Sequence, residues 1–148
     1  MAQERQSGSD ALPGTWKLQS FTTEYLATGE KTHLFGAHPS GYLSYGPDGR
    51  MYAILLEDGR KAPSDLVPTD AERIDLYNGL CSYAGTYSIE GDKVSHHIDA
   101  SWNEAWTGTT QTRKFRIDGK YLHIETLPDR NPVTGKECIS VLVWVKVE

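Results

Sequence analysis

Two short segments hold the residues whose types could do chemistry together: Val94-Ser95-His96-His97-Ile98 and Thr109-Thr110-Gln111-Thr112-Arg113. A histidine with an ordinary pKa near 6.5 can give or take a proton, and a positioned transfer is worth roughly 10²–10⁴-fold in rate. An arginine nearby could anchor a carboxylate or stabilise an enolate. A metal centre is not expected. Adjacent residues of a strand point to opposite faces, so His96 and His97 cannot chelate one ion together, while His33 and His38 fall in a loop segment. The chain also carries no Gly-x-x-x-x-Gly-Lys, Gly-x-Gly-x-x-Gly, Gly-x-Ser-x-Gly or Cys-x-x-Cys pattern. Nucleotide binding, a serine nucleophile and dithiol redox chemistry therefore have no motif behind them, and no cofactor is expected.

What these residues can do depends on which way the strands turn them. In 93–102 the even positions are Val94, His96, Ile98, Ala100 and Trp102, an apolar set, so His96 is expected inside and His97 outside. In 109–117 the odd positions end in Phe115 and Ile117, which places Gln111 and Arg113 on the same inner face. An unpaired buried charge costs several kcal/mol, so an inward Arg needs partners or a cavity. The expected ligand-binding set is His96, Gln111, Arg113 and Trp102, with Tyr45, Tyr52, Tyr83, Tyr87 and Trp106 as lining or mouth residues. The plainer alternative is a hydrogen-bonded structural histidine, an arginine that closes one barrel end, and aromatics that pack a core.

The elements that must hold this face are mostly strands. Residues 1–12 read as a flexible polar arm, and order is expected from Leu12-Pro13-Gly14-Thr15-Trp16, giving one domain over 13–148. A long loop or lid occupies 26–40. Gly41–Tyr45 and Arg50–Leu55 flank a Pro47-Asp48-Gly49 turn, a hairpin signal. Thr69 with Glu72 forms a capping box, and Ala71, Ile74, Tyr77, Leu80 and Cys81 recur at helical spacing, which predicts one helix over 70–80 with a packing face. From Tyr83 the period becomes two. Further turns fall at Glu90-Gly91-Asp92 and Asp118-Gly119, a loop spans 127–136, and 138–147 reads as a strand buried on both sides or nearly so. Roughly eight strands and one short helix make an all-β protein. An antiparallel barrel removes the exposed edges, and a two-sheet sandwich satisfies the same pattern.

Composition narrows the partners. The chain has 148 residues, 38% hydrophobic and 24% charged, with a net charge of -5 and no run long enough to span a bilayer as a helix. Interspersed charges give no positive face for nucleic acid. Two cysteines and a polar first ten residues make the cytoplasm, with Cys81 and Cys138 reduced, the expected compartment; one disulfide in an oxidising compartment satisfies the same count.

Several motifs together resemble the bacterial and fungal lipocalin-like domain family. They are Gly14-Thr15-Trp16, Gly41-Tyr42-Leu43-Ser44-Tyr45-Gly46-Pro47-Asp48-Gly49-Arg50-Met51, Tyr83-Ala84-Gly85-Thr86-Tyr87, Val94–Ile98, Trp102–Thr109 with Gln111 and Arg113, and Trp144-Val145-Lys146. The resemblance covers about residues 12–147 and implies an eight-stranded antiparallel up-and-down barrel. It also implies a basic side chain, from Lys146 or Arg116, stacked on a buried Trp16. For function it implies a small apolar or amphipathic ligand; related barrels include cofactor-free isomerases, cyclases and lyases. The reading is a barrel that binds a small apolar or aromatic molecule with an anionic end, as a monomer or homodimer, without nucleic acid or membrane as partner. The alternative is a small enzyme with His96 as acid or base and Arg113 as anion stabiliser.

Overall fold

In a computed structural model, which describes residues 8–131 and 134–147, the chain closes an antiparallel sheet on itself. A helical turn, α1 (Gly8–Ala11), leads into β1 (Gly14–Tyr25). Then come the two-residue β2 (Lys31–Thr32), β3 (Ser40–Tyr45), β4 (Arg50–Leu56), the helix α2 (Asp70–Asn78), β5 (Leu80–Glu90) and β6 (Lys93–Ser101). A single 3-10 turn (Glu104–Trp106) precedes β7 (Thr110–Asp118), β8 (Tyr121–Thr126), the two-residue β9 (Asp129–Arg130) and β10 (Glu137–Lys146). Neighbours in the barrel are neighbours in sequence, and β1 pairs with both β3 and β10. The eight long strands thus form an up-and-down barrel without an open edge, with β2 and β9 as short additions. The sandwich alternative is excluded by that closure.

One end of the barrel is plugged, and the sequence motif Gly14-Thr15-Trp16 explains how. Trp16 is 1% exposed and its indole N–H donates to the Leu12 carbonyl at 3.0 Å. Lys146, its register partner, sets its ammonium 4.6 Å from the Trp16 ring and donates to the Pro13 carbonyl at 2.7 Å. Gly14 has φ +136, and a Cβ there would collide with the Lys146 ammonium; glycine is required where this side chain crosses the backbone. Leu12 is fully buried in the same plug. Order therefore begins earlier than the flexible arm expected over 1–12, at least from α1; residues 1–7 of that arm lie outside the described residues, as do 132–133 of the expected loop and Glu148.

Two expectations need correction. The capping box of α2 is present, with Glu72 N–H bonded to Thr69 Oγ1 and Thr69 N–H to the Glu72 carboxylate. Yet α2 buries no residue: Ile74 is 60% exposed and Tyr77 also faces out, while Leu80 and Cys81 belong to β5. The helix stands beside the barrel mouth, where a closed sheet leaves it no core to pack on. Strand β10, expected to be buried on both sides, alternates instead. Cys138, Ser140, Leu142 and Trp144 turn in, and Val141 turns out, because a barrel strand has one solvent face.

Candidate functional site

Register carries the site residues to one place. In β6, paired with β7, His96 lies opposite Gln111 and Val94 opposite Arg113; in β5, inward Tyr83 and Cys81 lie opposite inward Ala53 and Leu55 of β4. His96 is 2% exposed, whereas His97 stands on the outer face, bonded to Ser88 at 2.9 Å and Thr110 at 3.1 Å. The strand parity read from Val94, Ile98 and Phe115 is the observed one as far as Ile98; beyond it a register shift against β5 at Ala84/Gly85 leaves Ala100, expected inside, exposed.

Inside the barrel is a cavity of about 160 Å³, with Tyr83, His96, Trp102, Trp106, Gln111 and Arg113 in its wall. Its size matches the roughly 150 Å³ cavities that take up a benzene-sized ring. The rim is aromatic: Trp102 and Trp106 meet edge to face at 5.2 Å, Tyr83 meets Trp106 at 5.3 Å, and Tyr77 of α2 approaches Trp102 at 6.5 Å. The 3-10 turn that carries Trp106 is capped by Asn103, whose carboxamide oxygen accepts from the Ala105 N–H at 3.0 Å. Gln111 donates to Thr109 Oγ1 at 3.2 Å, which holds its head at the wall.

The polar groups form a chain. Tyr45 Oη lies 2.6 Å from His96 Nε2, and Tyr83 Oη lies 3.0 Å from His96 Nδ1. The Arg113 guanidinium stands beside the Tyr83 hydroxyl. Burial, reinforced by the positive Arg113, pushes His96 down to about 3. Burial pushes Tyr83 up to about 12 and Tyr45 well above the usual phenol value. His96 is therefore neutral near pH 7, and the ordinary pKa near 6.5 expected of it does not hold. The two ion pairs among the described residues are Arg50–Asp99 and Arg73–Asp70, both on the outside. No described carboxylate is thus within ion-pair distance of Arg113, although Asp129 shares the cavity wall.

Not every expected lining residue is there. Tyr52 is 56% exposed on the outer face. It alternates with inward Met51 and Ala53, so the strand parity of β4 places it outside. Tyr45 and Tyr87 sit below the cavity rather than in its wall. Their rings meet edge to face at 4.8 Å, and Tyr87 donates to the Gly46 carbonyl at 2.7 Å. Tyr45 reaches the site only through its hydroxyl on His96. Conversely, Cys81, Cys138, Ser140 and Trp144 line the cavity without having been singled out. The even positions of β10 and the odd positions of β5 carried that signal. Phe35 and Arg130 also line it, from irregular segments and the short β9, which have no period to read.

The model of the lipocalin-like domain matches residues 13–147. The chain belongs to the lipocalin-like domain family. Among solved structures, a lipocalin-like protein from Bacteroides uniformis is 19% identical, with 92% of this chain and 98% of that one covered and a TM-score of 0.50. An uncharacterized protein from Bacteroides eggerthii is 15% identical over 92% of this chain and 99% of that one, with a TM-score of 0.46. No curated protein matches the sequence. The first likeness supports the lipocalin-like barrel; a barrel of this family with an interior cavity is consistent with small-molecule binding. None of the described helices is long and apolar enough to cross a membrane.

Proposed function

We propose that this lipocalin-like barrel binds a small aromatic or apolar molecule with an anionic end, the ring packed against the Trp102, Trp106 and Tyr83 cluster and the anion on Arg113 and Gln111. The observation that carries the reading is Arg113, a cation in a cavity wall with no described carboxylate at ion-pair distance. A guanidinium away from bulk water gains most from an anion it can bond through two N–H groups. Tryptophan fluorescence tests the reading, because Trp102 and Trp106 line the cavity. Phenylacetate is expected to shift the emission in a saturable way, and neutral phenylacetamide to need at least about tenfold more. Equal response to both, or to neither, overturns it.

The catalytic alternative (an isomerase, cyclase or lyase) uses the same cavity. There the group touching substrate would be Tyr83 or Arg113, since Tyr45 and Tyr83 engage both ring nitrogens of His96. A reducing compartment such as the cytoplasm belongs to the same proposal, supported by Cys81 and Cys138 being free thiols.

A further inference from the structure

The hydrogen bonds around His96 can be counted, and the count has a direction. A neutral imidazole has one N–H donor and one bare nitrogen that accepts. Which nitrogen carries the hydrogen follows from the partners. Tyr45 is 1% exposed, and its hydroxyl has His96 Nε2 as its one hydrogen-bond partner among the described residues. If Nε2 carried the hydrogen, Tyr45 would have to accept, and its own O–H would be buried with nothing to receive it. That arrangement costs about 1–3 kcal/mol. Tyr45 therefore donates to Nε2, and Nδ1 carries the hydrogen and donates to Tyr83 Oη. The Tyr83 hydroxyl oxygen then accepts from His96, with the donor-only Arg113 guanidinium beside it. Its own hydrogen is left for the cavity that Tyr83 lines.

We propose that the buried Tyr45–His96 pair sets the direction of this chain so that Tyr83 and Arg113 both present donors to one ligand carboxylate. Tyr83 then contacts the ligand, and His96 and Tyr45 are positioning residues. The inference rests on the ligand reading above and sharpens it: the site accepts an oxygen anion and rejects an ammonium or any head that can only donate. The protonation states that keep the chain in this arrangement do not change near neutral pH, because burial holds His96 and both phenols neutral.

The test has two arms. Nitrogen-15 NMR of the histidine-labelled, ligand-free protein is expected to show Nδ1 protonated and Nε2 bare in His96, and Tyr45→Phe is expected to redistribute that tautomer. Titration with phenylacetate is expected to show about tenfold weaker binding for Tyr83→Phe. Tyr45→Phe, which touches no ligand, is expected to weaken it about threefold. An Nε2–H tautomer in the wild type overturns the proposal, even if the Tyr45 variant fails to fold. So does Tyr83→Phe binding as tightly as wild type while Arg113→Leu does not. Absence of phenylacetate binding to the wild type overturns the ligand reading and the carboxylate with it; the direction of the chain is decided independently by the ligand-free spectrum.

Discussion

Lys146 closes one end of the barrel and Arg113 stands in the cavity wall nearer the other, and the two cations are used differently. Lys146 has a ring at 4.6 Å and a carbonyl at 2.7 Å, so its charge is satisfied within the fold. Arg113 faces neutral phenols, an imidazole and a thiol, with no described carboxylate at ion-pair distance. A partly desolvated charge without a counter-ion works against stability. The closed end is arranged for folding, and the cavity keeps a charge whose complement is not in the described chain.

The largest effect should come from the plug. Trp16→Ala removes a buried ring and the platform for Lys146, and is expected to cost about 3–5 kcal/mol in urea unfolding. A loss under about 1 kcal/mol would break the assignment of the closed end. Next comes pH, which probes the cavity. The His96 pKa is lowered in the folded state to about 3, so between 6.5 and 3 the unfolded chain binds the extra proton. Its contribution is fully present above pH 6.5 and is lost as pH falls. Unfolding free energy should drop by roughly 2 kcal/mol from pH 6.5 to 5 on this group's account. That slope should be missing in His96→Gln; an identical slope in the variant assigns it elsewhere.

Lys146→Met and Arg113→Leu set the two cations side by side. The first is expected to lose about 1–2 kcal/mol, from the cation–π contact and one hydrogen bond. The second should leave ligand-free stability unchanged or raise it by about 1 kcal/mol, and equal losses from both would erase the distinction. The smallest effect belongs to α2, whose residues are not buried. Ile74→Ser should change stability by no more than about 0.5 kcal/mol, and a thermal melt that drops by many degrees would mean that the helix packs after all.

Much of this was legible in the sequence, for reasons that differ by region. Period-two patterning sets the faces of β6 as far as Ile98 and of β7, which is enough to place His96, Gln111 and Arg113 inside. The capping box located the start of α2, but helical spacing of Ile74 and Tyr77 says only that they share a stripe, not that anything covers it. The aromatic type of Tyr52 suggests a pocket wall, but its parity in β4 puts it on the outer face. The phenol–imidazole–phenol chain lay beyond reach, since strand parity gives faces and not the 2.6 Å approach of Tyr45 to His96. Phe35 and Arg130 reach the cavity from segments with no usable period.

Isothermal titration calorimetry with phenylacetate, run on wild type, Arg113→Leu and Lys146→Met, puts the central contrast to the test. The wild type and Lys146→Met should bind alike, and Arg113→Leu should bind at least about thirtyfold more weakly, or roughly 2 kcal/mol. Undiminished binding by Arg113→Leu would contradict the account.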